Sequence, residues 1–272
     1  MRLRSLLYVP ANKPRFIARA ASSGTDAIIL DLEDSVPEAE KDAARESLAG
    51  AVPAVRENGA LVFVRINAGG RSQDDALAAC RAGADGLFVP KVSSPDVVDA
   101  VAGWLALAGL GRAPGFLGCI ALVETAASLP LAAEIARSRH VLGLALGGED
   151  LAADLGASPV PEVLRLPKLL VHYAAKGAGK LSLGLLQSVA DYADLDRLSA
   201  AAAEARMHGF DGATCIHPSA VPVLNRGFDW TPAERDWATR VVAAAEAGEG
   251  AFTVDGRMVD APVIARARRM LG

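Results

Sequence analysis

Cysteine is scarce in this 272-residue chain: Cys80, Cys119 and Cys215 stand far apart and form no C-x-x-C pair. That excludes a disulfide scaffold and a zinc-finger-type site, and it fits a reducing compartment. Long apolar runs are also missing, and without a stretch of about 18 apolar residues no membrane span is expected. The N-terminus, MRLRSLLYVPANKPRF, is basic, but its apolar run covers only 6–10. Lys13 and Arg15 stand where a signal peptide would continue, so no leader is expected and the reading is of a cytoplasmic protein. An excess of one charge is lacking too: 28 Lys+Arg against 32 Asp+Glu give a net charge of −4. Nucleic-acid binders carry a basic excess or stripe, so no nucleic-acid partner is expected. The turn after the first apolar run reads Pro10-Ala11-Asn12-Lys13-Pro14 and contains no glycine, which argues against a dinucleotide-binding doubly wound sheet.

What is present is a regular alternation. Hydrophobic residues make up 51% of the chain, enough for a full core. Short apolar runs at 5–10, 27–31, 61–66, 86–89, 119–123, 141–146, 181–186 and 213–216 alternate with longer Ala-rich stretches. Such runs read as strands buried on both faces of a parallel sheet. Helix-start signals fall between them: Asn12-Lys13-Pro14, Ser35-Val36-Pro37-Glu38 as a capping box opening a helix to about Leu48, Ser94-Pro95, and Thr231-Pro232-Ala233-Glu234. Residues 196–207, ending at His208-Gly209, have the content and stop signal of a further helix. Eight strands alternating with helices predict an α/β fold, a (β/α)8 TIM barrel, over residues 1–225. Residues 226–272 are expected to form a short C-terminal helical tail, one Ala-rich helix followed by an Arg-rich end (Arg266, Arg268, Arg269).

In a barrel, catalytic groups lie at the C-terminal ends of the strands. The polar residues here cluster at those ends: Asp31, Glu33 and Asp34 after the second strand, Arg65 and Asn67 after the third, and Lys91 after the fourth. Glu124 follows the fifth, Glu149 and Asp150 the sixth, and His217 the eighth. Glu124 and Asp150 can supply two carboxylate oxygens to Mg²⁺, a hard cation completed by water and substrate oxygens. Arg65 has a planar fork suited to a substrate carboxylate. A metal with an arginine is equipment for a 2-oxo or 2-hydroxy acid whose enolate must be stabilised when a C–C bond breaks or forms. Asp31, Glu33 and Asp34 can orient water or transfer protons. Structural readings stand beside these: Glu124 as the ion-pair partner of Arg65, Asp34 as a helix cap, and His217 as a hydrogen-bonded structural histidine. Of the adjacent Glu149 and Asp150, one is expected to be a ligand. Lys91 can be a Schiff-base lysine or a rim charge. His140, His172 and His208 share no metal-ligand spacing, and Gly177-Ala178-Gly179-Lys180 is rejected as a P-loop because Leu181 stands where Ser or Thr is needed.

The chain resembles the citrate lyase β-subunit-like branch of the HpcH/HpaI aldolase family, which also holds malyl-CoA and citramalyl-CoA lyases. The resemblance is carried by RSLLYVP at 4–10, DAIILDLEDSV at 26–36, VRIN at 64–67, GLFVPK at 86–91, LVETA at 122–126, GGEDLAADLG at 147–156 and GFDGATCIHP at 209–218. It implies a (β/α)8 barrel using Mg²⁺ to cleave or form a C–C bond in a 3-hydroxy acyl thioester of CoA or an acyl-carrier protein. The products are a 2-oxo acid and an acyl thioester. It places the metal ligands on Glu124 and Asp150 and the substrate-carboxylate arginine on Arg65; Asp31 and Glu33 join these in the expected catalytic set from their own place at the rim. It implies CoA phosphate contacts at Lys13 and Arg15, and a homotrimer or homohexamer. Longer members take an acidic catalytic residue from a C-terminal extension, and neither Asp255 nor Asp260 is matched to it. Two other activities fit the same residues: a metal-dependent aldolase on free hydroxy-oxo acids, and a lyase-complex subunit inactive alone.

Overall fold

The computed structural model describes residues 2–57, 59–110, 115–187, 194–247 and 252–272. The chain divides into two compact units, Met1–Phe228 and Asp229–Gly272.

The first unit is an eight-stranded parallel barrel wrapped in helices. Its strands are β1 (Ser5–Pro10), β2 (Ala27–Asp31), β3 (Leu61–Arg65), β4 (Gly86–Val89), β5 (Gly118–Val123), β6 (Val141–Leu146), β7 (Leu181–Leu183) and β8 (Ala213–Cys215). They pair in sequence from β1 to β7, with β8 returning to the free side of β1. The ring closes through one parallel bridge, Leu183 to Gly212, where Gly184 N donates to Gly212 O at 2.8 Å. Glycine is required at that seam, because a Cβ at 212 would lie 1.7 Å from the Leu3 carbonyl oxygen.

Side chains alternate along each strand, and the alternation sorts the core into two layers. Leu6, Ile29, Phe63, Phe88, Ile120, Leu122 and Leu183 fill the barrel interior. The residues between them, such as Leu7, Ile28, Val62, Val64, Ala121 and Leu144, face the helices. Those helices are α1 (Pro14–Ala21), α2 (Lys41–Arg56), α3 (Ser72–Arg81), α4 (Pro95–Leu107), α5 (Ala132–Arg137), α6 (Gly148–Asp154), α7 (Pro161–Gly177), α8 (Leu195–His208) and α9 (Val221–Gly227). The predicted boundary after 225 lies inside α9.

Most predicted strands stand within a residue or two, but the seventh run is shortened to three residues by the turn at Gly184. The box at Ser35–Glu38 does not open a helix. Ser35 N instead donates to Asp31 Oδ2 at 3.1 Å, a short 3₁₀ turn covers Glu38–Glu40, and α2 starts at Lys41.

The second unit holds α10 (Pro232–Ala247), a hairpin of β9 (Phe252–Val254) and β10 (Arg257–Val259), and α11 (Ala261–Leu271). The hairpin was not expected. Its signal is Asp255-Gly256, both at positive φ (51° and 74°), as a two-residue primed turn requires. The Thr231 box does form here: Thr231 N donates to Glu234 Oε2 at 2.8 Å, and Glu234 N to Thr231 Oγ1 at 3.2 Å. Ala238, Val241, Val259, Ala267 and Met270 make this unit's own core. Among the described residues, no helix is long and apolar enough to cross a membrane.

Candidate active site

The interior-facing positions change character at the C-terminal end of the barrel. On β2 the inward rail runs Ala27, Ile29, Asp31; on β3 it runs Leu61, Phe63, Arg65; beyond β5 it passes from Ile120 and Leu122 to Glu124. Each rail is apolar until its last member, which is ionisable. These ends line a cavity of about 680 Å³ together with Tyr8, Asp34, Asp150 and Lys168, a size suited to a small-molecule ligand.

One half of this rim is fully paired. Asp31 and Arg65 are register partners on neighbouring strands. Arg65 Nε and Nη2 grip the two Asp31 oxygens at 2.6 and 2.7 Å, and its Nη1 reaches Glu33 at 3.0 Å and Asp34 at 2.9 Å. Asp31 also accepts from the Glu33 and Ser35 amides at 2.9 and 3.1 Å. Burial pushes the Asp31 carboxyl up, but the hydrogen bonds and charge of Arg65 overcome it and hold the group below its ordinary value. The Tyr8 ring lies under the guanidinium, 4.9 Å from its carbon to the ring centroid, in cation–π geometry. Lys41 ties the end of β2 to that of β3, donating to the carbonyls of Leu32 and Glu33 at 3.2 and 2.8 Å and to Asn67. Arg65, expected to hold a substrate carboxylate, is thus anchored by the protein's own acids and still lines the cavity, with three of a guanidinium's five donors in these hydrogen bonds.

The other half is not paired. Glu124 is 4% exposed, and among the described residues its one hydrogen bond comes from the Lys91 amide, at 2.7 Å to Oε2. Lys91 takes a left-handed backbone (φ 52°) to present that amide, strain of the kind that collects at functional sites. Its Nζ lies 3.9 Å from Glu33. Burial raises the Glu124 pKa to about 7; the Lys91 amide opposes the shift and the nearby Asp150 charge adds to it. Gly147 leaves room for the carboxylate, since a Cβ there would sit 2.5 Å from Glu124 Oε1. The α6 helix turns its first two acids differently. Both line the cavity, but Glu149 is exposed and acts electrostatically on Lys168, while Asp150 is half-buried and acts on Glu124. Asp150 accepts no hydrogen bond from the described residues.

Glu124 and Asp150 line the same cavity and interact electrostatically, and each carries oxygen that no described donor reaches, the type of ligand a hard cation takes together with water and substrate oxygens. Among the described residues, no three His, Cys, Asp or Glu side chains gather as they would around a metal held wholly by protein. Glu33, also raised to about 7 chiefly by burial, sits behind Arg65 and does not line the cavity. Lys13 and Arg15 are exposed at the end of β1, Lys13 lies 3.7 Å from Glu40, and neither lines the cavity. Glu124 makes no ion pair with Arg65 among the described residues. His217 caps the turn after β8 by accepting from Ser219 N at 3.2 Å, and His172 is buried against Phe210 with Nδ1 2.9 Å from Ser182 Oγ. Tyr8, Gly147 and Lys168 were missed from sequence. Tyr8 was findable as the residue two beyond inward-facing Leu6; Lys168, inside α7, carried no such signal.

Acids and one buried arginine at the C-terminal mouth of a parallel α/β barrel define a barrel-enzyme type of site. A model of the HpcH/HpaI aldolase/citrate lyase family matches residues 4–218, and the chain belongs to that family. It is 36% identical over 274 residues to a citrate lyase subunit beta-like protein of Mycobacterium tuberculosis, covering 97% of this chain and 93% of that protein. It is 35% identical over 279 residues to a (3S)-malyl-CoA thioesterase of Cereibacter sphaeroides, covering 98% and 93%. Among solved structures it is similar to the M. tuberculosis CitE protein in complex with magnesium, acetoacetate and coenzyme A. That similarity has a TM-score of 0.79 and 35% identity, over 99% of this chain and 97% of that one.

Proposed function

We propose that this protein is a Mg²⁺-dependent carbon–carbon lyase acting on a citryl-, citramalyl- or malyl-type thioester. The observation that carries this reading is the Glu124–Asp150 pair, two carboxylates on the wall of one cavity that make no ion pair among the described residues. In the cleavage direction the 3-hydroxyl gives up its proton, the C2–C3 bond breaks, and the oxygen becomes the carbonyl of a 2-oxo acid. The released electron pair forms the thioester enolate, which takes a proton at carbon to give the acyl thioester. Bound between the two carboxylates, Mg²⁺ would polarise the hydroxyl and carbonyl oxygens and stabilise negative charge. Lys91 holds Glu124 through its amide, Gly147 keeps the carboxylate's space clear, and Asp31 fixes the position of the Arg65 guanidinium on the wall of the same cavity.

The test is a screen of malyl-, citramalyl- and citryl-CoA with Mg²⁺ or with EDTA, reading both 2-oxo acid and free thiol. A 2-oxo acid released only with Mg²⁺, without thiol, supports the lyase. Neither product from any of the three overturns it. Thiol without 2-oxo acid supports thioester hydrolysis, a second reading favoured by the thioesterase relatives, which match as much of the chain as the citrate lyase ones.

A further inference from the structure

Lys168 is a cation on the cavity wall that makes no ion pair among the described residues; the acid that acts on it, Glu149 on the same wall, is exposed. Its Nζ donates to the Gln187 carbonyl at 3.1 Å, which uses one of the three donors of an ammonium. Glu149 attracts it from a distance, while burial draws its pKa down to about 8. The other cations at the mouth are matched: Arg65 by three acids, Lys41 by two carbonyls and Asn67, and Lys91 by Glu33. A half-buried ammonium with spare donors is costly unless something anionic joins it.

Its place in the fold says what that anion belongs to. The Lys168 side chain lies against the start of α6, where a Cβ on Gly148 would be 3.9 Å from its Cε. Asp150 is two residues further on, so a ligand seated at Glu124 and Asp150 extends along the same cavity wall as Lys168. The ligand end at the two acids must offer oxygens to a cation. The part alongside Lys168 meets an ammonium.

We infer that Lys168 is a specificity residue that pairs with a second carboxylate of the substrate, remote from the end held at Glu124 and Asp150. The protein thus prefers 2-oxo dicarboxylates over 2-oxo monocarboxylates. This rests on the lyase reading, and the experiment separates the two.

Calorimetric titrations of the full chain use Mg²⁺ alone, then pyruvate, oxaloacetate, 2-oxoglutarate and CoA in the presence of Mg²⁺. In the unmodified protein at least one dicarboxylate is expected to bind about 10-fold or more tighter than pyruvate, the scale of a charge-assisted contact. Lys168→Met should erase most of that preference and leave the pyruvate and Mg²⁺ affinities within about 2-fold. Lys168→Arg should keep it. No preference in the unmodified protein, or equal weakening of pyruvate and dicarboxylates by Lys168→Met, overturns the inference and leaves the lyase reading intact. A loss confined to CoA overturns it as well. If the unmodified protein binds no 2-oxo acid even with Mg²⁺, the lyase reading itself fails.

Discussion

The two halves of the barrel mouth are built from the same residue types and treat them in opposite ways. On the β2–β3 side, Asp31 accepts four hydrogen bonds, two of them from Arg65. Among the described residues on the β5–β7 side, Glu124 has one amide and Asp150 has no protein donor, while Lys168 has one carbonyl. Charges satisfied by their neighbours fix shape, whereas unsatisfied ones store a desolvation cost that only a ligand relieves. The difference shows in the carboxyl groups themselves: Asp31 is held below its ordinary pKa and Glu124 is pushed up to about 7.

The largest expected effect comes from Glu124→Gln. Turnover should fall by at least about 100-fold, since charge stabilisation of several kcal/mol is lost with the cation. The same change should stabilise the metal-free protein at pH 8 by about 1–3 kcal/mol, because a buried, unpaired carboxylate is removed. The sign follows from the raised pKa. Glu124's contribution favours the fold fully below its ordinary value of 4.5 and is lost as pH rises through about 7. Denaturant melts of the metal-free protein should therefore show stability falling over that window, less steeply in the Gln variant, with the remaining slope due to Glu33. Mg²⁺ affinity should run the other way, rising about tenfold per pH unit up to about 7 and then levelling. Destabilisation by Glu124→Gln would mean the two halves do not differ as argued.

How much of this contrast was legible beforehand depends on which kind of information each residue needs. The barrel and its polar rim were readable because the inward rails keep a period of two: Ile29 to Asp31, Phe63 to Arg65, Leu122 to Glu124. The partners were not. Arg65 read as the grip for a substrate carboxylate, with an ion pair to Glu124 as the structural alternative, and only the β2–β3 register sets it beside Asp31. Asp150 and Glu149 are separated by the helical turn of α6, a short element with no signal read in the sequence. Lys168 is an ordinary helix lysine until α7 is laid against Gly148. The Asp255-Gly256 hairpin was the opposite case, a local signal present and passed over.

Asp31→Asn should have the next largest effect and the opposite sign from Glu124→Gln. It leaves the buried guanidinium with only Glu33 and Asp34, and breaking a buried pair costs about 3 kcal/mol or more. Equilibrium urea unfolding measures it, and a loss below about 1 kcal/mol, the exposed-pair range, would erase the contrast. Activity should fall as well, because Arg65 then loses its fixed position.

The smallest effect belongs to Tyr8, which stands between the halves. Its ring supports Arg65 from below and meets the edge of Phe88 at 6.1 Å. Its hydroxyl has no hydrogen-bond partner among the described residues and lies near the Arg65, Asp31, Glu124 and Glu33 charges. Burial, opposed by Arg65 and reinforced by the three acids, raises its pKa above the usual phenol value, so the group stays a neutral O–H donor across the working pH range. Tyr8→Leu removes the ring and should cost about 1–2 kcal/mol, the range of a desolvated cation–π contact. That is a fall of roughly 2–6 °C in Tm for a unit of this size. Tyr8→Phe keeps the ring and should leave Tm within about 1 °C, so any rise in substrate KM in that variant reports the hydroxyl alone. Equal melting losses in both variants would place the hydroxyl with the paired half rather than with the ligand-facing one.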